Sequence, residues 1–215
     1  MGRTSDAKER LMAAVAELFW TQSYDSSTID QICEKAGVKK GSFYYFFDGK
    51  AQLVEAALDR EWEVYRPKLD AIFSASIAPL ERIRRHVRFT IEEQGELKAR
   101  HGYVLGCPLA TLGSEICTQE SDLRRKVQAI MDHGAQYLET AIRDADAAGE
   151  IAAPNAREKA RVIRAFQLGL LIQARIRNDM KILEELEPGT LEILGVAKAN
   201  ARRRAATRRR EAVPA

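Results

Sequence analysis

Residues 28–53 read Thr28-IDQICEKAGVKKGSFYYFFDGKAQ-Leu53, and this stretch decides the fold class of the chain. Thr28 stands where a helix N-cap is expected, with Gln31 three residues on as its capping-box partner. Ile29, Ile32, Cys33 and Ala36 then share one helical face. Gly37 follows at once, the residue that lets a chain leave a helix through a left-handed conformation. Val38 reads as a buried turn residue, and Lys39-Lys40-Gly41-Ser42 opens a second, aromatic-rich helix. A helix, a tight glycine turn and a second helix with donors at its start form a helix-turn-helix, whose second helix lays its N-terminal residues against base edges in the major groove.

These residues resemble the tetracycline-repressor (TetR) family of transcriptional regulators. The shared features are the Thr28 cap, Ala36-Gly37-Val38, Lys40-Gly41-Ser42, the block Tyr44-Tyr45-Phe46-Phe47, and Lys50 followed by Leu53. Two turn positions depart from the pattern: Ser23 replaces a helix-ending glycine, and Asp48-Gly49 replaces Pro-Ser. The resemblance implies a homodimer made by the last two long helices, a double-stranded, palindromic DNA operator, and repression relieved by a small-molecule effector.

Outward from the motif the chain reads as all-α; no segment shows sustained period-two alternation bounded by hairpin turns. A first helix is expected from Ser5 to about Ser23, with Leu11, Ala14, Val15, Leu18 and Phe19 as its apolar stripe and Gly2-Arg3-Thr4 as a short arm ahead of it. A helix over 50–66 is expected to stop before Pro67. Further helices are expected near 80–100, 108–118, 121–148, 155–180 and 188–204, punctuated by Pro79, Gly102–Gly106, Ser121, Gly149, Pro154 and Pro188-Gly189. The expected organisation is a three-helix DNA-binding domain over 1–50, closed by the start of the 50–66 helix. A helical bundle for ligand binding and dimerisation follows over 51–204, then a basic, disordered tail over 205–215.

Charge has to be located before it means anything. Residues 198–215 carry a net +6, so the rest of the chain sums to −3, and residues 1–50 hold seven basic and seven acidic side chains. The cluster Lys39, Lys40 and Lys50, rather than net charge, points to nucleic acid. The arginine-rich tail reads either as a solvated end or as a nonspecific phosphate contact. No apolar run reaches the roughly 20 residues that span a bilayer. Three scattered cysteines fit a reducing compartment, and the cytoplasm is the expected location.

Roles within the motif follow from side-chain type. Lys40 and Ser42, flanking Gly41, are suited to base acceptors or the adjacent phosphate, and Gly41 lets backbone approach the groove. Tyr44, Tyr45 and Thr28 are expected at phosphate, with Lys39 and Lys40 supplying charge and Lys50 a further phosphate clamp. The resemblance carries the same positions over as DNA contacts. Phe43 and Phe47 read as core.

The effector end is less legible. Tyr103 to Leu112 is nearly uncharged, and the resemblance extends to a Gly-Cys-Pro-Leu signature at Gly106–Leu109 beside the ligand cavity in one branch of the family. Expected walls are Phe73, Phe89, Tyr103, Leu105, Cys107, Leu109, Leu112, Tyr137 and Phe166, with Arg88, His133 and Gln173 as polar points. The Gly102–Gly106 break is expected to let one wall move. Leu168, Leu171 and Leu191 are the expected dimer contacts, and Gly169 a point of close helix approach. Cys107 reads either as an inert small residue or as an activated thiol at a helix start. No catalytic residue, metal-ligand set or cofactor motif is found, so no enzyme is expected. A helical enzyme without a readable motif and a helical adaptor are the rival classes.

Overall fold

The computed structural model describes residues 2–116 and 120–196, without the side chains of 2–5, 20 and 21. Among these residues every regular element is helical: α1 (Gly2–Thr21), α2 (Ile29–Ala36), α3 (Lys40–Phe46), α4 (Lys50–Ile72), α5 (Pro79–His101), α6 (Pro108–Ile116), α7 (Ser121–Ala147), α8 (Ala156–Arg177), a 3-10 turn (Met180–Glu185) and α9 (Leu186–Leu194). The described residues pack into two compact units, 2–68 with 107–116 and 120–133, and 69–106 with 134–196. Packing therefore cuts the chain elsewhere than the expected linear division at 50/51. The 205–215 tail lies outside the described residues.

In the first unit the α1 stripe Leu11, Ala14, Val15, Leu18 and Phe19 is buried as its spacing predicts. It meets Ile32 of α2, Phe43 of α3 and Leu53 and Val54 of α4, all fully enclosed. Leu112 and Ile116 of α6, with Leu123 and Val127 of α7, belong to the same core. Helix α3 has seven residues and no side-chain N-cap hydrogen bond, so this burial is what holds it helical.

In the second unit Ile83, Leu138, Ile142, Ile163 and Leu194 form the core. Arg82 is buried there and donates to the carbonyls of Ile77 (2.7 Å) and Ala75 (3.2 Å) and to Asp144, which ties down the turn before α5. His86, also buried, has no hydrogen-bond partner for Nδ1; burial first, then the charge of Arg164, push its pKa down to about 4. It is a neutral core histidine that sequence reading passed over.

Several boundaries differ from expectation. The α1 backbone is helical from Gly2, so the expected arm is part of the helix. Helix α4 runs through Pro67 to Ile72. Proline removes one amide donor, but Leu69 just beyond it is buried, and burying that turn outweighs the lost bond. Helix α8 stops at Arg177 because Asn178 turns left-handed (φ 50°). Pro188 sits inside the first turn of α9, where no intrahelical N–H is required, and α9 ends at left-handed Gly195. The rest of the expected 188–204 helix, from 197 on, lies outside the described residues.

Within one copy the glycine at a close helix approach is Gly189. A Cβ on Gly169 meets nothing within 4 Å, whereas one on Gly189 would lie 2.3 Å from the Phe166 ring. Phe166, expected as a cavity wall, packs its ring against Gly189 of α9. Gly189→Ala is therefore expected to lower unfolding free energy in urea by about 1–3 kcal/mol, with a smaller loss in a Phe166→Leu background. An unchanged urea midpoint for Gly189→Ala contradicts this packing.

Candidate nucleic-acid interface

The motif begins at a complete capping box. Thr28 Oγ1 accepts from the Gln31 amide (3.2 Å), and Gln31 Oε1 accepts from the Thr28 amide (2.9 Å). Gly37 closes α2 at φ 61°, and the Val38 amide returns to the Cys33 carbonyl (2.9 Å). Arg10 of α1 reaches across to donate to the Ala36 and Gly37 carbonyls at 3.1 and 3.3 Å, satisfying acceptors that the end of α2 leaves open.

This frame fixes the azimuth of α3. Phe43 and Phe47 point inward as expected, with their ring centroids 5.9 Å apart. Lys39, Lys40 and Gly41 are then exposed, Ser42 is half-buried, and Tyr44 and Tyr45 are 53% and 74% exposed. Nothing lies within 4 Å of a Cβ built on Gly41, so the start of α3 is open for a second surface to approach. Lys40 pairs with Asp30 at 2.8 Å, and that hydrogen bond and charge raise its pKa, so its ammonium stays charged.

Lys50 is placed differently from its expected role as a phosphate clamp. Its ammonium donates to the carbonyls of Tyr24 (2.8 Å) and Ser27 (3.2 Å) and sits 4.0 Å from the centroid of the Tyr24 ring. Burial lowers its pKa against the opposing pull of Asp25, Glu120 and Glu115. An amine committed to two carbonyls, a ring and nearby carboxylates is an internal cross-link of the α1–α2 turn. The sequence signal that singled out Lys50 was its charge, and charge does not say which acceptors the fold brings to it.

The two turn departures have local explanations. Ser23 accepts from the Ser26 amide through Oγ (3.2 Å) and from the Ser27 amide through its carbonyl (3.2 Å), closing the turn without a glycine. Gln52, in the first turn of α4, accepts from the Asp48 amide (2.6 Å) and so ties down the turn that leads into the helix.

The residues expected around an effector cavity divide between the units. In the first, Cys107 is half-buried, Leu109 and Leu112 pack on the core, and exposed His133 stacks on Trp62 at 5.8 Å. In the second, Phe73 lies 5.4 Å from both His86 and Tyr137, and the Tyr137 hydroxyl donates to Asp70. Leu105 is buried and Phe89 half-buried, while Tyr103, Arg88 and Gln173 are exposed and Arg88 pairs with Glu81.

The expected mobile break is pinned. The Gln94 side-chain amide both donates to the Gly106 carbonyl (3.0 Å) and accepts from the Gly106 amide (2.8 Å), and Asn178 accepts from Val104 (2.9 Å). Gly106 itself has φ 71°, and a Cβ there would meet the Leu171 carbonyl at 3.3 Å.

Of the expected dimer contacts, Leu171 is buried inside the second unit, and Leu168 and Leu191 are half-buried. The large apolar residues that α8 leaves exposed are Val162, Ile172 and Ile176, the last 77% exposed. Their spacings of 10 and 4 residues were available in the sequence, but a helix apolar on several sides does not show which side the fold covers.

Comparison with known proteins gives consistent matches. Residues 11–57 match the family model of bacterial regulatory proteins of the tetR family, and residues 79–188, half of the chain, match the tetracyclin repressor-like C-terminal domain. The transcriptional regulator AcuR of Cereibacter sphaeroides is 33% identical over 68% of this chain and 66% of its own length, just under two thirds of it. The HTH-type transcriptional repressor NemR of Escherichia coli K12 is 25% identical over 83% of the chain and 89% of its own length. The crystal structure of a regulatory protein TetR from Rhodobacter sphaeroides superposes with TM-score 0.76 at 27% identity, covering 86% of this chain and 96% of that one.

The two lysines are expected to behave differently in the protein alone. Lys50→Ala strips two carbonyls of a partner and is expected to cost about 1–3 kcal/mol of stability. Lys40→Ala, at an exposed ion pair, is expected to leave the unfolding midpoint essentially unchanged. Equal small effects in denaturant titrations would contradict the cross-link.

Proposed function

The chain belongs to the TetR family of bacterial regulatory proteins, and on that premise we propose that α3 reads operator DNA for a one-component transcriptional regulator. The observation that carries the reading is the division of α3: Phe43 and Phe47 anchor it, while Lys39, Lys40, Gly41, Ser42, Tyr44 and Tyr45 face outward or toward its open start. Lys40 and Ser42 are assigned to base edges, Gly41 to close backbone approach, and Lys39, Tyr44 and Tyr45 to phosphate and sugar. Thr28 adds the exposed N-terminus of α2 as a phosphate site. Lys50 supports the turn rather than the DNA.

The regulator acts as a homodimer on a palindromic site and is not an enzyme. We assign the dimer surface to α8, where Val162, Ala165, Gly169, Ile172 and Ile176 recur at helical spacing and are exposed or half-buried in one copy. Gly169 and Ala165 on that face leave room for a second helix. A relative carries the name repressor, and repression relieved by a small hydrophobic or amphipathic effector is the mode assigned to this chain. Linkage supplies the logic: an effector that binds better to a conformation unsuited to the operator must lower operator affinity. Such a protein works in the cytoplasm, beside the chromosome.

The test is selection of duplexes from a random pool by the full chain. A two-fold symmetric sequence is expected to emerge. Against it, Ser42→Ala is expected to relax discrimination at particular base pairs by about 1–3 kcal/mol, whereas Tyr45→Phe weakens all duplexes alike. A pool that stays random after selection would reject the reading, as would a Ser42→Ala protein with unaltered sequence preference.

A further inference from the structure

The turn that launches the reader helices is held from two directions through a single residue. Tyr24, buried between α1 and α2, donates its backbone N–H to Glu115 Oε2 of α6 at 2.5 Å. Its carbonyl accepts from Lys50 at the start of α4 at 2.8 Å. Its ring lies under that ammonium, and its hydroxyl donates to Glu120, just before α7, at 3.4 Å. Burial and the neighbouring Glu120 push the Tyr24 phenol up to about 12, so it remains a donor at every physiological pH. Lys50 also holds Ser27, whose neighbour Thr28 is the N-cap of α2.

Helix α6 also packs on this unit through the apolar side chains of Leu112 and Ile116. Those contacts are non-directional and tolerate small slides of one helix over another. The Glu115 bond does not: a charge-assisted hydrogen bond at 2.5 Å demands both position and angle. A displacement of the last turn of α6 by about 1 Å or more that the Glu115 side chain does not absorb must therefore break the bond or carry the Tyr24 peptide with it. In the second case the Thr28 cap and the α2–α3 pair follow, because only three residues separate Tyr24 from Thr28.

We propose that Glu115 is a positioning residue for DNA reading: it bonds the Tyr24 amide and so fixes the α1–α2 turn, and with it the aim of α3. The inference rests on the assignment of α3 to DNA. It gives a function to a carboxylate that no recognition motif includes.

The experiment uses the full chain, the duplex it enriches from a random pool, and a shuffled duplex of the same composition. Glu115→Ala removes the acceptor, Glu115→Asp keeps the charge but withdraws it beyond reach, and Glu115→Gln keeps an acceptor oxygen in place. Amide exchange at Tyr24 is expected to be about ten-fold faster or more in Glu115→Ala and Glu115→Asp and close to wild type in Glu115→Gln. Affinity for the enriched duplex is expected to fall about 5- to 50-fold in the first two variants and to recover in Glu115→Gln, with the shuffled duplex unaffected throughout. If Glu115→Ala does not fold, Glu115→Asp decides. Unchanged Tyr24 exchange overturns the coupling, and so does faster exchange with unchanged specific affinity, or an equal loss on both duplexes. A wild-type protein that enriches no sequence overturns the assignment of α3 and the positioning role with it; the Tyr24 exchange then still reports whether the bond itself exists.

Discussion

Burial of Phe43 is the constraint on which the reader depends. A seven-residue helix with no side-chain cap does not persist in water by itself, since nucleation costs more than so few backbone bonds return. Enclosing one aromatic ring among Leu11, Val15, Ile32 and Leu53 supplies what the backbone lacks. It also fixes rotation about the α3 axis, because Phe43 on the helix and Phe47 at its C-cap both turn inward. Tyr44 and Tyr45 are outward for that reason, and the polar start of α3 is left to solvent. Everything else in the first unit serves this placement: Arg10 satisfies the end of α2, the Thr28–Gln31 box satisfies its beginning, and Lys50 holds the turn before it.

Directional polar bonds, rather than apolar area, hold the irregular segments. Gln94 pairs with both backbone groups of Gly106, Asn178 caps α8 and holds Val104, and Arg82 gathers the carbonyls before α5. Each satisfies backbone groups that a turn would otherwise leave buried and unpaired. A segment rich in glycine is therefore not mobile by that fact alone. Gly102–Gly106 needs its glycine at 106 because φ there is positive and the Leu171 carbonyl is close, which is a demand for a fixed shape.

Much of the first unit was legible because its signals are local. A capping box, a left-handed glycine and a 3–4 apolar stripe each lie within a few residues, and Thr28, Gly37 and Leu11–Phe19 take the expected conformations. What escaped depends on partners distant in sequence. Lys50 looks like a phosphate clamp until the Tyr24 and Ser27 carbonyls, more than 20 residues away, are brought to it. Pro67 reads as a stop until the burial of Leu69 is counted. Leu171 and Ile176 are equally apolar in sequence, yet one faces the interior and the other solvent. Phe166 and Gly189 fit one another across 23 residues, a shape match that no periodicity encodes. His86 shows the same limit, since neither its burial nor its bare Nδ1 has a sequence signature.

The most direct measurement is a crystal structure of the full chain bound to the duplex it selects. It is expected to show two copies related by a two-fold axis and joined through the Ile172–Ile176 face of α8. Their α3 helices would enter major grooves about 34–36 Å apart or a multiple of that spacing, with Lys40 and Ser42 on base edges and Lys50 still bound to the Tyr24 carbonyl. A complex in which α3 lies outside the groove, or in which Lys50 has left its carbonyls for a phosphate while Ser42 faces solvent, would contradict it.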